Sequence, residues 1–174
     1  MDALVSFSIR PARHDEIEAL RQIELDAFFA LSDAGGVLGE PSATSADDLR
    51  IMLDNGLLVV ATDHDNSPLG FLGATQIGDE LYINEIDVLR AAQGRGLGRA
   101  LLARAVEETI RRGLRRATLT TDRLVPFNAP FYARCGFRIV EDHALSAHLR
   151  QTLRHQVECG LDPARRVAMA LDTN

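Results

Sequence analysis

Val88-Leu89-Arg90-Ala91-Ala92-Gln93-Gly94-Arg95-Gly96-Leu97-Gly98-Arg99-Ala100-Leu101-Leu102 is the stretch on which the fold turns. An apolar strand, Ile83 to Val88, runs into a loop, Gln93 to Gly98, and the loop opens directly into a helix. The first turn of a helix carries backbone N–H groups with no internal partner, and the helix dipole favours negative charge there. Three alternating glycines remove the side chains that would hold a ligand away from those amides. A strand, loop and helix of this kind suit a phosphate or pyrophosphate. Beside the loop, the guanidinium groups of Arg95 and Arg99 are placed for charge-assisted hydrogen bonds to such a group.

Two common phosphate loops are excluded by the residues. A dinucleotide fingerprint counted from Gly94 meets Arg99 where Gly or Ala is needed. A P-loop needs Gly-Lys-Ser/Thr, and the chain contains no lysine. What remains is Gln93, Gly96 and Gly98 at Q-x-x-G-x-G spacing, which resembles the acetyl-coenzyme A signature of the GNAT superfamily of N-acetyltransferases. Downstream, the segment Asn128 to Phe137, with Tyr132, Gly136 and Phe137, is similar to the family's second motif. Pro130 suits a first helical turn and Gly136 a left-handed stop, so the segment also makes local sense as a short helix before a strand. The two motifs occur in the family's order, and the resemblance covers nearly the whole chain.

The resemblance implies an α+β GNAT fold. Its central sheet is mixed, mostly antiparallel and seven-stranded, with strands 4 and 5 parallel, splayed apart and holding the acyl donor between them. It implies acetyl-CoA as cosubstrate, held by Ile86, Asp87, Val88, Gln93, Gly94, Arg95, Gly96, Leu97, Gly98, Arg99, Asn128 and Tyr132. The reaction implied is direct attack of a small-molecule or peptide primary amine on the thioester in a ternary complex. Such an amine has a pKa of about 10.4 and is cationic at neutral pH, so a base is required. The resemblance gives that role to a strand-4 carboxylate, here Glu85, often through water, with Asp87 the lesser candidate because a bulge is expected there. The same bulge would turn the amide of Val88 or Ile86 toward the thioester oxygen. Tyr132 would be the general acid toward a thiolate whose pKa is about 8.5 or a little higher. Strand alternation puts Leu81, Ile83 and Glu85 on one face, with Tyr82, Asn84 and Ile86 on the other. The acceptor pocket would draw on Phe28, Phe29 and the loop Leu31 to Thr44, where Asp33 and Glu40 suit a cationic amine. A non-catalytic acyl-CoA-binding regulatory module, or transfer of a different acyl group, are the competing readings.

Composition sets the frame for these motifs. At 174 residues the chain suits one domain, 1–174, with a sizeable core. The net charge of −6 argues against nucleic acid as a partner, although Arg90 to Arg123 holds nine arginines against three acids. Cys135 and Cys159 have no ligand spacing, and no histidine pairs with acidic residues at metal-binding spacing, so no metal is expected. The start lacks a basic n-region, and no apolar run approaches a membrane span; a reduced cytoplasmic setting is the expectation.

Periodicity orders the rest. Val5 to Arg10 alternates as a strand, and Ile17, Leu20, Ile23 or Glu24, Ala27 and Phe28 recur at helical spacing. Leu31 to Thr44 reads as a loop, and Ser45 with Asp48 caps a helix ended by Asn55-Gly56. Leu57 to Thr62 and Leu69 to Ile77 form a hairpin that leads into Leu81 to Val88. A helix from about Gly96 to Arg112, a strand Ala117 to Thr121, a helix Phe127 to Cys135 and a strand Phe137 to Val140 follow. Leu145, Leu149, Leu153 and Val157 form a stripe that packs on the body or builds a dimer, so a monomer or homodimer is expected. Arg166 to Leu171 closes the sheet.

Overall fold

The computed structural model describes residues 7–36 and 39–173. Seven strands form one sheet: β1 (Ser8–Pro11), β2 (Leu58–Thr62), β3 (Pro68–Ile77), β4 (Glu80–Val88), β5 (Arg116–Asp122), β6 (Arg138–Ile139) and β7 (Arg166–Asp172). Their spatial order is β1-β2-β3-β4-β5-β7-β6. Every neighbouring pair is antiparallel except β4 and β5, which run parallel. Five helices cover the sheet: α1 (Ile17–Asp33), α2 (Ala46–Asp54), α3 (Leu97–Arg111), α4 (Ala129–Arg134) and α5 (Ala147–Glu158).

The two faces of the sheet bury different helices. Leu97, Leu101, Leu102 and Ala105 of α3 pack on Leu72, Leu81, Ile83 and Leu119, and Tyr132 of α4 joins the same cluster. Leu20 and Ile23 of α1 and Leu49 and Met52 of α2 pack on Leu58, Val60 and Phe71. Leu149 of α5 is fully buried against Tyr82 and Ala168, with Leu145 and Leu153 beside it. The leucine stripe therefore packs on the body, and only Val157 at its end stays exposed.

Local chemistry explains the boundaries. The Ser45 hydroxyl accepts from the Asp48 amide and caps α2. The first strand starts at Ser8; Val5 and Ser6, where the alternation places it, lie outside the described residues. Helix α1 continues to Asp33, so Leu31, Ser32 and Asp33 are helical rather than loop. The reason is that nothing stops it sooner: Gly35, with φ +70°, is the first residue suited to the left-handed turn that ends it.

Strand β4 departs from simple alternation. It pairs Ile83 with Ala74 and Glu85 with Gly73, which leaves Asn84 as an extra residue. The bulge thus falls at Asn84, not near Asp87, and it shifts the phase of everything after it. Leu81, Ile83, Ile86 and Val88 all contribute to the α3 side. Glu85 leaves the face of Leu81 and Ile83, contrary to unbroken alternation. It lies on the α1 and α2 side, opposite Gly73, whose Cβ would meet Met52 of α2.

Parallel pairing between β4 and β5 is confined to Glu80–Tyr82 with Arg116–Thr118. A buried ion pair marks this closed end. Glu80, 3% exposed, accepts from Arg116, 6% exposed, at 2.6 and 2.9 Å, and from Arg115 and Ser146 at 2.8 and 3.1 Å. Removing one partner of such a pair leaves the other charge buried and uncompensated. Glu80→Ala is expected to cost about 3–5 kcal/mol in urea unfolding; a loss under about 1 kcal/mol would show that the clasp carries little of the fold.

Candidate active site

Beyond Tyr82 the two parallel strands have no shared pairs, and a cavity of about 570 Å³ opens there. Its lining joins the glycine loop, the end of β4, the last turns of α1 and the face of α4. On its α3 side lie Gln93, Gly94, Gly96, Leu97, Gly98 and Arg99. Gly94 and Gly96 hold φ of +77° and +86°, left-handed values that disfavour a side chain. A Cβ at either would meet no protein atom within 4 Å, so the space above the loop is open. Gly96 is the N-cap of α3, and the first amides of that helix have no acceptor inside it. The donor set and the clearance fit a pyrophosphate. The Arg99 side chain makes no ion pair among the described residues and lines the cavity. Arg95 does not line it; its guanidinium turns back to donate to the Ala91 carbonyl at 2.9 Å.

The Asn128 side chain makes no capping bond to α4 and faces the cavity with Tyr132. The Tyr132 ring is held between Phe131 and Phe137, with centroids at 5.2 and 6.1 Å. Burial first, then the charges of Asp87 and Glu85, raise its phenol well above its ordinary value. Tyr132 therefore keeps its proton and is suited to donate a hydrogen bond. Ile86 and Val88 also line the cavity. The Leu89 amide donates to Leu69 of β3, so strand alternation turns the amides of Val88 and Ile86 the other way, toward the gap.

On the α1 side three carboxyls converge. Glu24, Glu85 and Asp87 each bring an oxygen within 4.8 Å of the others. Glu24 comes from α1, where the apolar spacing leaves position 23 or 24 ambiguous; Ile23 takes the core and Glu24 the cavity. Its carboxylate accepts from the Thr44 amide at 2.9 and 3.0 Å and from the Thr44 hydroxyl at 3.0 Å. Burial still raises Glu24 above its ordinary value. Asp87 is pushed up to about 8, by burial and then by the charge of Glu24, and its Oδ2 is buried without a partner among the described residues. Glu85 is raised well above the carboxylate range by burial, then by Asp87 and Glu24. The three titrate as a unit.

Of the expected acceptor residues, Phe28 lines the cavity and Phe29, Asp33 and Glu40 do not. Phe29 is 47% exposed and stacks under the Arg90 guanidinium at 5.7 Å, while Asp33 and Glu40 face solvent. Glu24, Leu31, Ser42, Phe127, Phe131 and Cys135 line the cavity as well. Of these, Glu24 carries a signal legible beforehand, a carboxylate within an apolar helical stripe.

The Acetyltransferase (GNAT) family model matches residues 17–137, which include both the glycine loop and the Tyr132 segment. The chain belongs to the GNAT acetyltransferase family. Solved structures share the GNAT fold at low identity. N-acetylglutamate synthase from Neisseria gonorrhoeae, complexed with coenzyme A and N-acetyl-glutamate, superposes with a TM-score of 0.73 at 19% identity; the match covers 97% of this chain and 35% of that one. This chain thus spans about a third of that synthase. The PaiA N-acetyltransferase from Thermoplasma acidophilum, in complex with coenzyme A, gives 0.73 at 15% identity over 96% of this chain and 99% of that one. The ribosomal-protein-S18-alanine N-acetyltransferase from Escherichia coli gives 0.63 at 20% identity over 96% and 94%. Among the described residues no helix is long and apolar enough to cross a membrane.

Two measurements check the GNAT site. Gly96→Val places a branched side chain at φ +86° in the space over the loop amides. It is expected to abolish coenzyme A binding in calorimetry while the circular dichroism of the fold is kept; unchanged affinity would contradict the assignment. Asp87 binds its proton more tightly folded than unfolded. Between the ordinary carboxylate pKa of about 4 and its folded value of about 8, this group makes stability fall as pH rises. Asp87→Asn should flatten the dependence of Tm on pH across that window, and an unaltered slope would place the proton elsewhere.

Proposed function

We propose that this protein transfers an acetyl group from acetyl-CoA to a primary amine of a small molecule or peptide, by direct attack in a ternary complex. The observation that carries the reading is the meeting of three carboxyls, an unpaired stretch of β4 and the Tyr132 phenol around one cavity that also holds the glycine loop. Acetyl-CoA supplies the activated acetyl group as a thioester. The loop amides and Arg99 hold its pyrophosphate, and Asn128 reaches its pantetheine arm.

Glu24, Glu85 and Asp87 draw in the cationic acceptor. The ammonium must then lose a proton, and its pKa is about 10.4. A carboxylate with an ordinary pKa of about 4 is a poor match for that proton. Burial lifts Glu85 well above that range and Asp87 to about 8, which makes either a far better base. Glu85 takes the proton, directly or through a water, with Asp87 and Glu24 sharing the charge that remains. The amides of Ile86 and Val88 steady negative charge on the reacting oxygen, and the Tyr132 hydroxyl donates to the departing sulfur.

Thiol release from acetyl-CoA, measured across amino acids, polyamines, aminoglycosides and peptide amines, tests the reading. Absence of turnover with any amine, with coenzyme A binding intact, would leave a binding module without catalysis. With the acceptor found, Tyr132→Phe is expected to lower kcat by about tenfold or more with little change in coenzyme A affinity. The acidic limb of kcat/KM should lie above the ordinary carboxylate range and move to lower pH in Glu24→Gln, because the charge of Glu24 helps raise both Glu85 and Asp87. A limb that stays in place would remove the cluster from proton transfer.

A further inference from the structure

On the same face of the sheet as Glu85, one cation makes no ion pair among the described residues. Arg166 opens β7 and lies directly across from Asp122 of β5. Cross-strand partners of opposite charge ordinarily pair. Here they make no ion pair, because three other donors already engage Asp122. Its Oδ2 accepts from Arg165 at 2.7 Å, and its Oδ1 accepts from the Leu124 and Val125 amides at 2.7 and 2.9 Å. Arg166 instead donates through Nε to the Gln156 side chain at 3.1 Å. Among the described residues its two terminal nitrogens make no hydrogen bond or ion pair.

This arrangement fixes where Arg166 stands. The Gln156 amide nitrogen donates to the Thr120 hydroxyl at 2.9 Å, and that oxygen lies 2.9 Å from the Tyr82 hydroxyl. A relay thus runs from β4 across the closed part of the gap to α5 and on to Arg166. Counting on from the last parallel pair, Tyr82 with Thr118, and allowing for the extra residue Asn84, puts Asp122 level with Asp87. Arg166 is one strand beyond, on the same face as the carboxyl cluster but outside the residues that line the cavity. It is half-buried, and burial weakens its hold on its proton, whereas Glu85 and Tyr132 feel its charge. A half-buried guanidinium is costly unless something pairs with it. Its Nε is spent on Gln156, so the end-on fork remains, the geometry that takes a carboxylate through two parallel bonds.

We propose that Arg166 is the anion subsite of the acceptor and that the acceptor is an amino acid, its ammonium at Glu24, Glu85 and Asp87 and its carboxylate on the Arg166 fork. The assignment rests on the acetyl-transfer reading and narrows its substrate class. A dication would gain from the three carboxyls but would meet Arg166 as a like charge.

The test compares a panel of amino acids with their amides and decarboxylated amines, for the unaltered protein and for Arg166→Gln. For the best acceptor, kcat/KM of the acid should exceed that of its amide by about tenfold or more, as expected when a buried charged partner is left unpaired. In Arg166→Gln the ratio should fall to about one, chiefly through KM. Arg166→Lys, which keeps the charge and loses the fork, should retain part of it. An unaltered protein that prefers amides or decarboxylated amines, or a variant that keeps the full ratio, overturns the subsite and leaves acetyl transfer to amines standing. Should no amine turn over, acetyl transfer itself fails, and calorimetry still reads the subsite. The coenzyme A-loaded protein should bind an N-acetyl amino acid more tightly than the matching amide, and Arg166→Gln should erase the difference. Equal binding of the two by the unaltered protein overturns the assignment.

Discussion

Three residues of parallel pairing hold this structure open. Glu80, Leu81 and Tyr82 bond to Arg116, Ala117 and Thr118, and the pairing goes no further. The Glu80–Arg116 ion pair and Ser146 clasp the closed end, and the bulge at Asn84 redirects β4 just past it. Without the clasp the two halves of the sheet would lose their joint; without the divergence there would be no gap. The cavity therefore begins as a gap in the sheet, which the glycine loop, α1 and α4 then wall.

One strand carries carboxylates with opposite fates. Glu80 meets three donating residues and is neutralised by fixed partners. Glu85 and Asp87, a few residues along, receive no hydrogen bond among the described residues and face each other and Glu24. The first arrangement holds strands together; the second stores unmet demand for a positive charge or a proton. Arginine divides in the same way. Arg90, Arg104, Arg111, Arg112, Arg115 and Arg116, six of the nine arginines in the basic run, pair with Asp26, Glu107, Glu108, Asp79 and Glu80, and Arg165 pairs with Asp122.

Much of this was legible in the sequence, for physical reasons. The glycine loop, the Tyr132 segment and the leucine stripe are local patterns, and local patterns survive folding. The bulge was harder, because a one-residue slip leaves no composition signal; it exchanges the faces of Glu85 and everything after it. A loop that begins at Leu31 would offer Asp33 and Glu40 as acceptor residues. Asp33 is instead the last residue of α1, both Asp33 and Glu40 face solvent, and Glu24 takes the inward place. Arg95 sits in the right loop, yet its side chain satisfies the Ala91 carbonyl, a choice among rotamers that spacing does not determine. Arg166 gave no pattern at all, since its isolation depends on Arg165 winning Asp122.

Glu24 does two jobs with one carboxylate. It faces the cavity, and it anchors Thr44 by three hydrogen bonds just ahead of the Ser45 cap of α2. Any guest that claims those lone pairs competes with the tether. Occupancy of the cavity and the freedom of the segment entering α2 are then reciprocal quantities, each measurable by its effect on the other. A latch built from the same atoms that greet the ligand makes admission and loosening a single thermodynamic event.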